Sequence, residues 1–162
     1  MTVAFRHNQS LELNRVEYHG SVTLAELEAL ADFQAANPRW LSYDCLNLIM
    51  PGADFGKVDF AALDEIFKKY RVLFEPLHFV IVRRSAWICQ SPAARPHLHH
   101  WISDRDTREG MSSDLRQFDS FADAGAWLVL THDQTTMLQR GDDFDEVVAF
   151  SIPAQAAQAA AR

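Results

Sequence analysis

The stretch from Asp59 to Trp87 constrains the fold of this chain more than any other part of it. Phe60, Leu63, Ile66, Phe67, Tyr70 and Phe74 recur at three- and four-residue spacing. That spacing puts them on one side of a helix that runs through Lys68-Lys69 and stops at Pro76. The run Phe79-Val80-Ile81-Val82 follows at once and predicts a strand over 77–84 that is apolar on both faces. A one-sided helix feeding a two-sided strand is the pattern of a sheet covered by helices.

The rest of the chain extends that pattern. Segments 3–5 and 11–19 read as strands around the turn Asn8-Gln9-Ser10, and Gly20 ends the second. Thr23-Leu24-Ala25-Glu26 has the spacing of a capping box, in which threonine and glutamate satisfy each other's backbone donors. Leu24, Leu27, Leu30, Ala31 and Phe33 then form a helical stripe, which Asn37-Pro38 closes. Segment 41–50 reads as a central strand, with Tyr43, Cys45 and Ile49 on one face and Leu46, Leu48 and Met50 on the other. Pro51-Gly52 breaks it, and Asp59 is placed to cap the helix after the loop. Ser91-Pro92 opens a third helix, with serine as its cap and Ala94, Leu98, Trp101 and Ile102 on its apolar face. Pro96 lacks a backbone donor, so it kinks that helix or delays its start. Segment 111–118 is a weaker strand, and Ser120 caps a short helix with Phe121, Ala124, Trp127 and Leu128 on its stripe. Beyond Leu130 the pattern decays into the acidic run Asp142 to Glu146, a segment 147–152 that reads as an edge strand or an arm, and an Ala/Gln-rich end.

The expected fold is α/β: a mixed, mostly parallel sheet with covering helices, in the order ββαβαβαβα plus a C-terminal extension. At 162 residues the chain suits one domain over 1–130, with 131–162 as the extension, packed as an arm or partly disordered. Fifteen Lys and Arg against 22 Asp and Glu, scattered rather than clustered, exclude a phosphate-backbone reader and so a nucleic-acid partner. Cys45 and Cys89 make no disulfide framework and read as reduced thiols of a cytoplasmic protein. Neither a signal peptide nor a membrane span is expected.

Three groups of residues resemble parts of the STAS-like, SpoIIAA-like family of small bacterial α/β proteins. Gly20 precedes Thr23-Leu24-Ala25-Glu26-Leu27 at the entry to the first helix, Tyr43-Asp44-Cys45-Leu46 lies on the following strand, and the run from Phe118 through Asp123 to Trp127-Leu128 closes the pattern. The resemblance covers residues 3–130, and its motifs are structural rather than chemical. It implies a non-enzymatic regulatory or protein-interaction module, alone or as a homodimer, without a cofactor. In the anti-anti-sigma branch of the family a serine at the start of the second helix is phosphorylated. The matching stretch here, from Met50 to Asp59, has no serine or threonine, and only Asp54 or Asp59 offers a negative charge there.

Chemical candidates come from the residues alone. Arg83, Arg84 and Ser85 stand at the end of the expected 77–84 strand, where open α/β sheets tend to bind ligands, and could hold a carboxylate or phosphate. If so, Arg83 and Ser85 should adjoin Asp54 and Asp59 and form one binding surface. A second reading is a carrier of a small amphipathic, lipid-like or anionic ligand, with Phe55, Phe67 and Trp87 around its apolar body and Arg83 on its head group. A third is a minor enzyme or metal site built from Cys89 with His97 and His100, which share a helix face that His99 does not. No phosphate-binding glycine loop and no metalloprotease motif occurs.

Overall fold

The computed structural model describes residues 2–77, 82–103, 107 and 111–151. Its centre is a six-stranded sheet, ordered β5-β4-β3-β2-β1-β6. Strands β1 (Val3–Asn8) and β2 (Leu13–Tyr18) form the expected antiparallel hairpin. From β2 the chain steps through β3 (Asp44–Ile49), β4 (Arg83–Cys89) and β5 (Ser113–Phe118), each parallel to the one before. Strand β6 (Asp145–Phe150) pairs antiparallel with the free side of β1. The sheet is mixed and mostly parallel, as the alternating pattern implied.

That order explains the layers. Parallel crossovers take one hand, so successive crossovers that step the same way across a sheet land on the same face. Helices α1 (Leu24–Ala36), α2 (Phe60–Phe74) and α3 (Arg95–Ile102) are those crossovers. They pack over Val16, Tyr18, Cys45, Ile49 and Leu115 on one face. After β5 the chain must return across the whole sheet to reach β6. Helices α4 (Phe121–Trp127) and α5 (His132–Arg140) make that return on the other face, where Ala124, Leu128 and Leu138 cover Leu46, Leu48, Ala86 and Ile88. Strand β3 is thus apolar on both sides, as its sequence required.

Local chemistry sets the element ends. Glu26 accepts from the Thr23 backbone N–H at 2.6 Å and from its hydroxyl at 2.7 Å, and also from the Thr2 hydroxyl. Asp59 caps α2 by accepting from the Ala62 N–H at 2.7 Å, and Ser120 does the same for Asp123 at the start of α4. Pro96 does delay α3: a 3-10 turn over Pro92–Ala94 precedes it, and the proline sits in the first helical turn, where its missing donor costs nothing. Ser91 does not act as the cap. Its hydroxyl donates instead to the Ala53 carbonyl at 2.6 Å and ties the β4–α3 turn to the loop after β3.

Two further expectations are corrected. The strand expected over 77–84 begins only at Arg83 and runs to Cys89; residues 78–81 lie outside the described residues. The arginines looked like a polar strand end, but they open the strand. Arg83 turns its side chain inward and Arg84 outward, so the apolar rows of β4 are Ala86 and Ile88 on one face and Trp87 on the other. The chain beyond Leu130 is also more ordered than its composition suggested. Helix α5 has its own capping box, Thr131 with Gln134, and a left-handed Gly141 at its C-cap. Strand β6 supplies the edge strand expected near 147–152, and residues 152–162 lie outside the described residues.

Candidate functional site

Strands β2, β3 and β4 turn alternate residues toward α1–α3, and a cavity of about 110 Å³ remains between the sheet and that helical layer. Its floor is unusually polar for the centre of a sheet. Asn47 lies in the middle of an apolar strand, yet its amide Nδ2 donates to Ser85 Oγ at 3.0 Å on the neighbouring strand. Asn14, one strand further on, donates to the Trp40 carbonyl at 2.8 Å and accepts from His7 Nδ1 at 2.9 Å. These side chains are at most 7% exposed, so each needs a partner within the protein.

Along β4 the residues facing the cavity are Arg83, Ser85 and Trp87. Two-residue steps along a strand set Arg83 and Trp87 about 13 Å apart at their Cα atoms. The cavity therefore has a cationic end and an aromatic end. At the cationic end Arg83 Nε donates to Ser113 Oγ at 2.6 Å, and its guanidinium lies 5.0 Å from the centre of the Phe74 ring. Burial lowers its pKa, against the opposing pull of Cys45, Tyr70 and Asp44. Asp44 is taken by Arg84, whose backbone N–H it accepts at 2.6 Å and whose guanidinium it meets at 3.7 Å. Among the described residues, no carboxylate forms an ion pair with Arg83. Beside it the Tyr70 hydroxyl donates to Gln34 Oε1 at 2.6 Å, which leaves the Gln34 NH2 as a donor. Burial raises the Tyr70 pKa and pushes the Cys45 thiol up to about 12, so both stay protonated and uncharged.

At the aromatic end Tyr18 stacks on Trp87, with ring centres 5.9 Å apart and planes 17° apart, and Phe55 leans on Tyr18 at 5.7 Å. His97 stands behind Phe55 at 6.0 Å. Its Nε2 lies 2.8 Å from the Val58 carbonyl, so that nitrogen carries a hydrogen. The other ring nitrogen, Nδ1, and the Trp87 indole N–H are buried without a hydrogen-bond partner. Such groups cost roughly 1–3 kcal/mol each and are uncommon in a finished core.

The structure separates the residues expected to act together. Because β3 and β4 are parallel, Asp54 and Asp59 follow the carboxyl end of β3, whereas Arg83, Arg84 and Ser85 occupy the amino end of β4. The sheet order from β2 to β5 also never reverses, so these strands offer no switch-point crevice at their carboxyl ends. Asp54 is exposed and accepts from the Gly56 N–H at 2.7 Å, Asp59 is exposed as the α2 cap, and Arg84 is spent on Asp44. Of the expected aromatics, Phe55 and Trp87 line the cavity, but Phe67 packs away from it against Trp101 at 6.0 Å.

His97 and His100 share a face, as their spacing requires, and both meet Phe60; His100 stacks on it at 4.4 Å and pairs with Asp64 at 2.8 Å. His99 is turned toward Ser103 instead, and the Cys89 thiol donates to the Ser91 carbonyl at 3.1 Å. Among the described residues, no three His, Cys, Asp or Glu side chains converge as metal ligands. No helix among them is long and apolar enough to cross a membrane.

Gln34, Asn47 and Tyr70 escaped the sequence reading. The signal was present for Asn47, a lone amide inside Cys45-Leu46-Asn47-Leu48-Ile49, and for Gln34, which continues the stripe of Leu27 and Leu30 by one more turn. No family model, no curated protein and no solved structure matches this chain.

Proposed function

We propose that this protein is a non-enzymatic binding module that holds a small amphipathic ligand in the cavity beneath α1–α3. Arg83 takes the head group, and Phe55 and Trp87 flank the apolar body. One observation carries the reading: a half-buried cation with no ion-pair partner among the described residues faces a cavity whose described lining holds no Asp or Glu, in a chain of net charge −7. A charge partly withdrawn from water and without a counter-charge is disfavoured, and a ligand that supplies the counter-charge offsets that cost. The non-enzymatic reading draws support from the protonated, unactivated thiol of Cys45, the only nucleophile of its kind in the lining. The free thiols of Cys45 and Cys89 agree with a cytoplasmic setting. Native mass spectrometry of gently purified protein tests the reading. A small-molecule adduct that the Arg83→Gln variant lacks is expected. An empty protein that no acid, alcohol or lipid stabilises against heat would end it.

The STAS-like resemblance supports a second reading, an interaction module that meets a protein partner through the loop after β3. The observation in its favour is that this loop presents Asp54, Lys57 and Asp59 to solvent, beside a Phe60 that is 43% exposed. Asp54→Asn with Asp59→Asn removes the charge and keeps the helix cap, because asparagine caps as well as aspartate. Unchanged partner recovery with that double variant would dismiss this surface.

A further inference from the structure

Resting on the cavity reading, we infer that the ligand is a compact aromatic monocarboxylate with a single ring, of benzoate to phenylacetate size, with its carboxylate between Arg83 and Gln34.

The charge follows from an inventory of the head-group end. Arg83 brings the only formal charge in the described lining, its Nε is committed to Ser113, and no described residue takes up its terminal nitrogens. Gln34 already accepts from Tyr70 with one lone pair of its oxygen, and its NH2 donates to no described residue. Ser85 Oγ already accepts from Asn47 and has its own hydrogen to give. Donors dominate what remains unused there: two guanidinium nitrogens, an amide NH2 and a hydroxyl. A carboxylate is an acceptor only, with about four lone-pair sites, and it meets an arginine in bidentate fashion. A neutral alcohol or amide would leave the cation unpaired. A phosphate dianion would bring a second charge that nothing described in the lining balances. One cation therefore selects one anion.

Size follows from the volume. About 110 Å³ of cavity lies a little below the ~150 Å³ of a dry cavity that holds benzene, so it encloses about one ring. A long-chain fatty acid is too large by roughly half or more, so the lipid-like version of the ligand is disfavoured. The body is a ring because the apolar end is built of rings. Tyr18 and Trp87 lie nearly parallel, and Phe55 closes over them at 52° to Tyr18. A flat aromatic body can stack and meet ring edges at once, whereas a branched aliphatic body fills the same space without those contacts.

Titration calorimetry and thermal shift with phenylacetate, phenylacetamide, phenyl phosphate and hexadecanoate test the inference on the full chain. Quenching of Trp87 and Trp101 fluorescence gives a second readout. Phenylacetate should bind at least tenfold more tightly than the neutral phenylacetamide and than either of the other probes. Arg83→Gln should erase the preference over phenylacetamide, and Arg83→Lys, which keeps the charge but not the fork, should restore part of it. Equal affinity for acid and amide, or tighter binding of hexadecanoate or phenyl phosphate, would overturn the ligand class and leave the cavity reading standing. Binding of every probe that persists in Ile66→Trp, which fills the cavity, would overturn the cavity reading itself. Binding of none to the wild type would overturn both.

Discussion

Gly125 offers a sharp test of how the second helical layer is assembled. A Cβ at this position would stand 2.2 Å from Thr135 Oγ1, 2.7 Å from its Cγ2 and 3.0 Å from its Cβ. Glycine thus sets how closely α4 and α5 approach. Alanine favours a helix over glycine by about 1 kcal/mol, so propensity alone would make Gly125→Ala stabilising. Overpacking costs about 1–3 kcal/mol, and the upper end applies here because all three atoms belong to one β-branched side chain. Thr135 cannot simply turn aside, since its hydroxyl donates to the Thr131 carbonyl at 2.9 Å. The net expectation is a loss of about 1–2 kcal/mol, read from urea unfolding followed by circular dichroism. Thr135→Ala removes the two shortest contacts, so the double variant should recover at least about 1 kcal/mol relative to additivity. A Gly125→Ala protein as stable as the wild type, or strict additivity in the double variant, would show that the helices part cheaply and that the close approach is not a constraint.

Other expectations concern stability and titration. Burial raises the Cys45 thiol from its ordinary 9.0 to about 12. The folded state therefore keeps a proton that the unfolded chain releases, and this group's contribution is complete below pH 9 and lost as pH rises toward 12. Urea midpoints should fall across that window, and Cys45→Ala should flatten the decline by about 1.4 kcal/mol per pH unit. Arg15 is 4% exposed, donates to the Leu138 and Gln139 carbonyls at the end of α5 and pairs with Glu17 at 3.1 Å. Arg15→Ala should cost about 2–3 kcal/mol in equilibrium unfolding, by leaving those acceptors buried and unmet. Asp59→Ala should cost about 1 kcal/mol and Asp59→Asn almost nothing, which differential scanning calorimetry can separate.

The fold was legible wherever local chemistry and burial agreed. The Thr23 box, the Asp59 and Ser120 caps and the two-sided apolar strand of Cys45 to Ile49 carry their structure on their surface, because each depends on neighbours in sequence. Arg83 misled because a charged pair after an apolar run resembles a strand end. Only the pairing of Arg83 with Ser113 on β5 shows that the strand starts there. Helix α5 was hidden for a different reason. Its interior is mostly polar and only Leu138 is fully buried, so its hydrophobic period is faint although both its caps are explicit. The candidate site was half legible. Phe55, Trp87 and Arg83 were named, but Gln34, Tyr70 and Asn47 gain meaning only when four strands and three helices enclose the same space.

The pairing of β1 with β6 has a kinetic consequence. Val3 lies beside Phe150 and the Thr2 N–H donates to the Phe150 carbonyl at 2.9 Å, so strands far apart in sequence are stitched into one ladder. Closing a loop of that span carries an entropic toll of roughly 4 kcal/mol, on a logarithmic scaling with chain length. The hairpin and the parallel steps behind it can form without that toll, which makes the seam between first and last strands a natural late event in refolding. A circularly permuted chain, with its old ends joined and new ones cut into an exposed turn, would make the seam local and should reach the native state sooner.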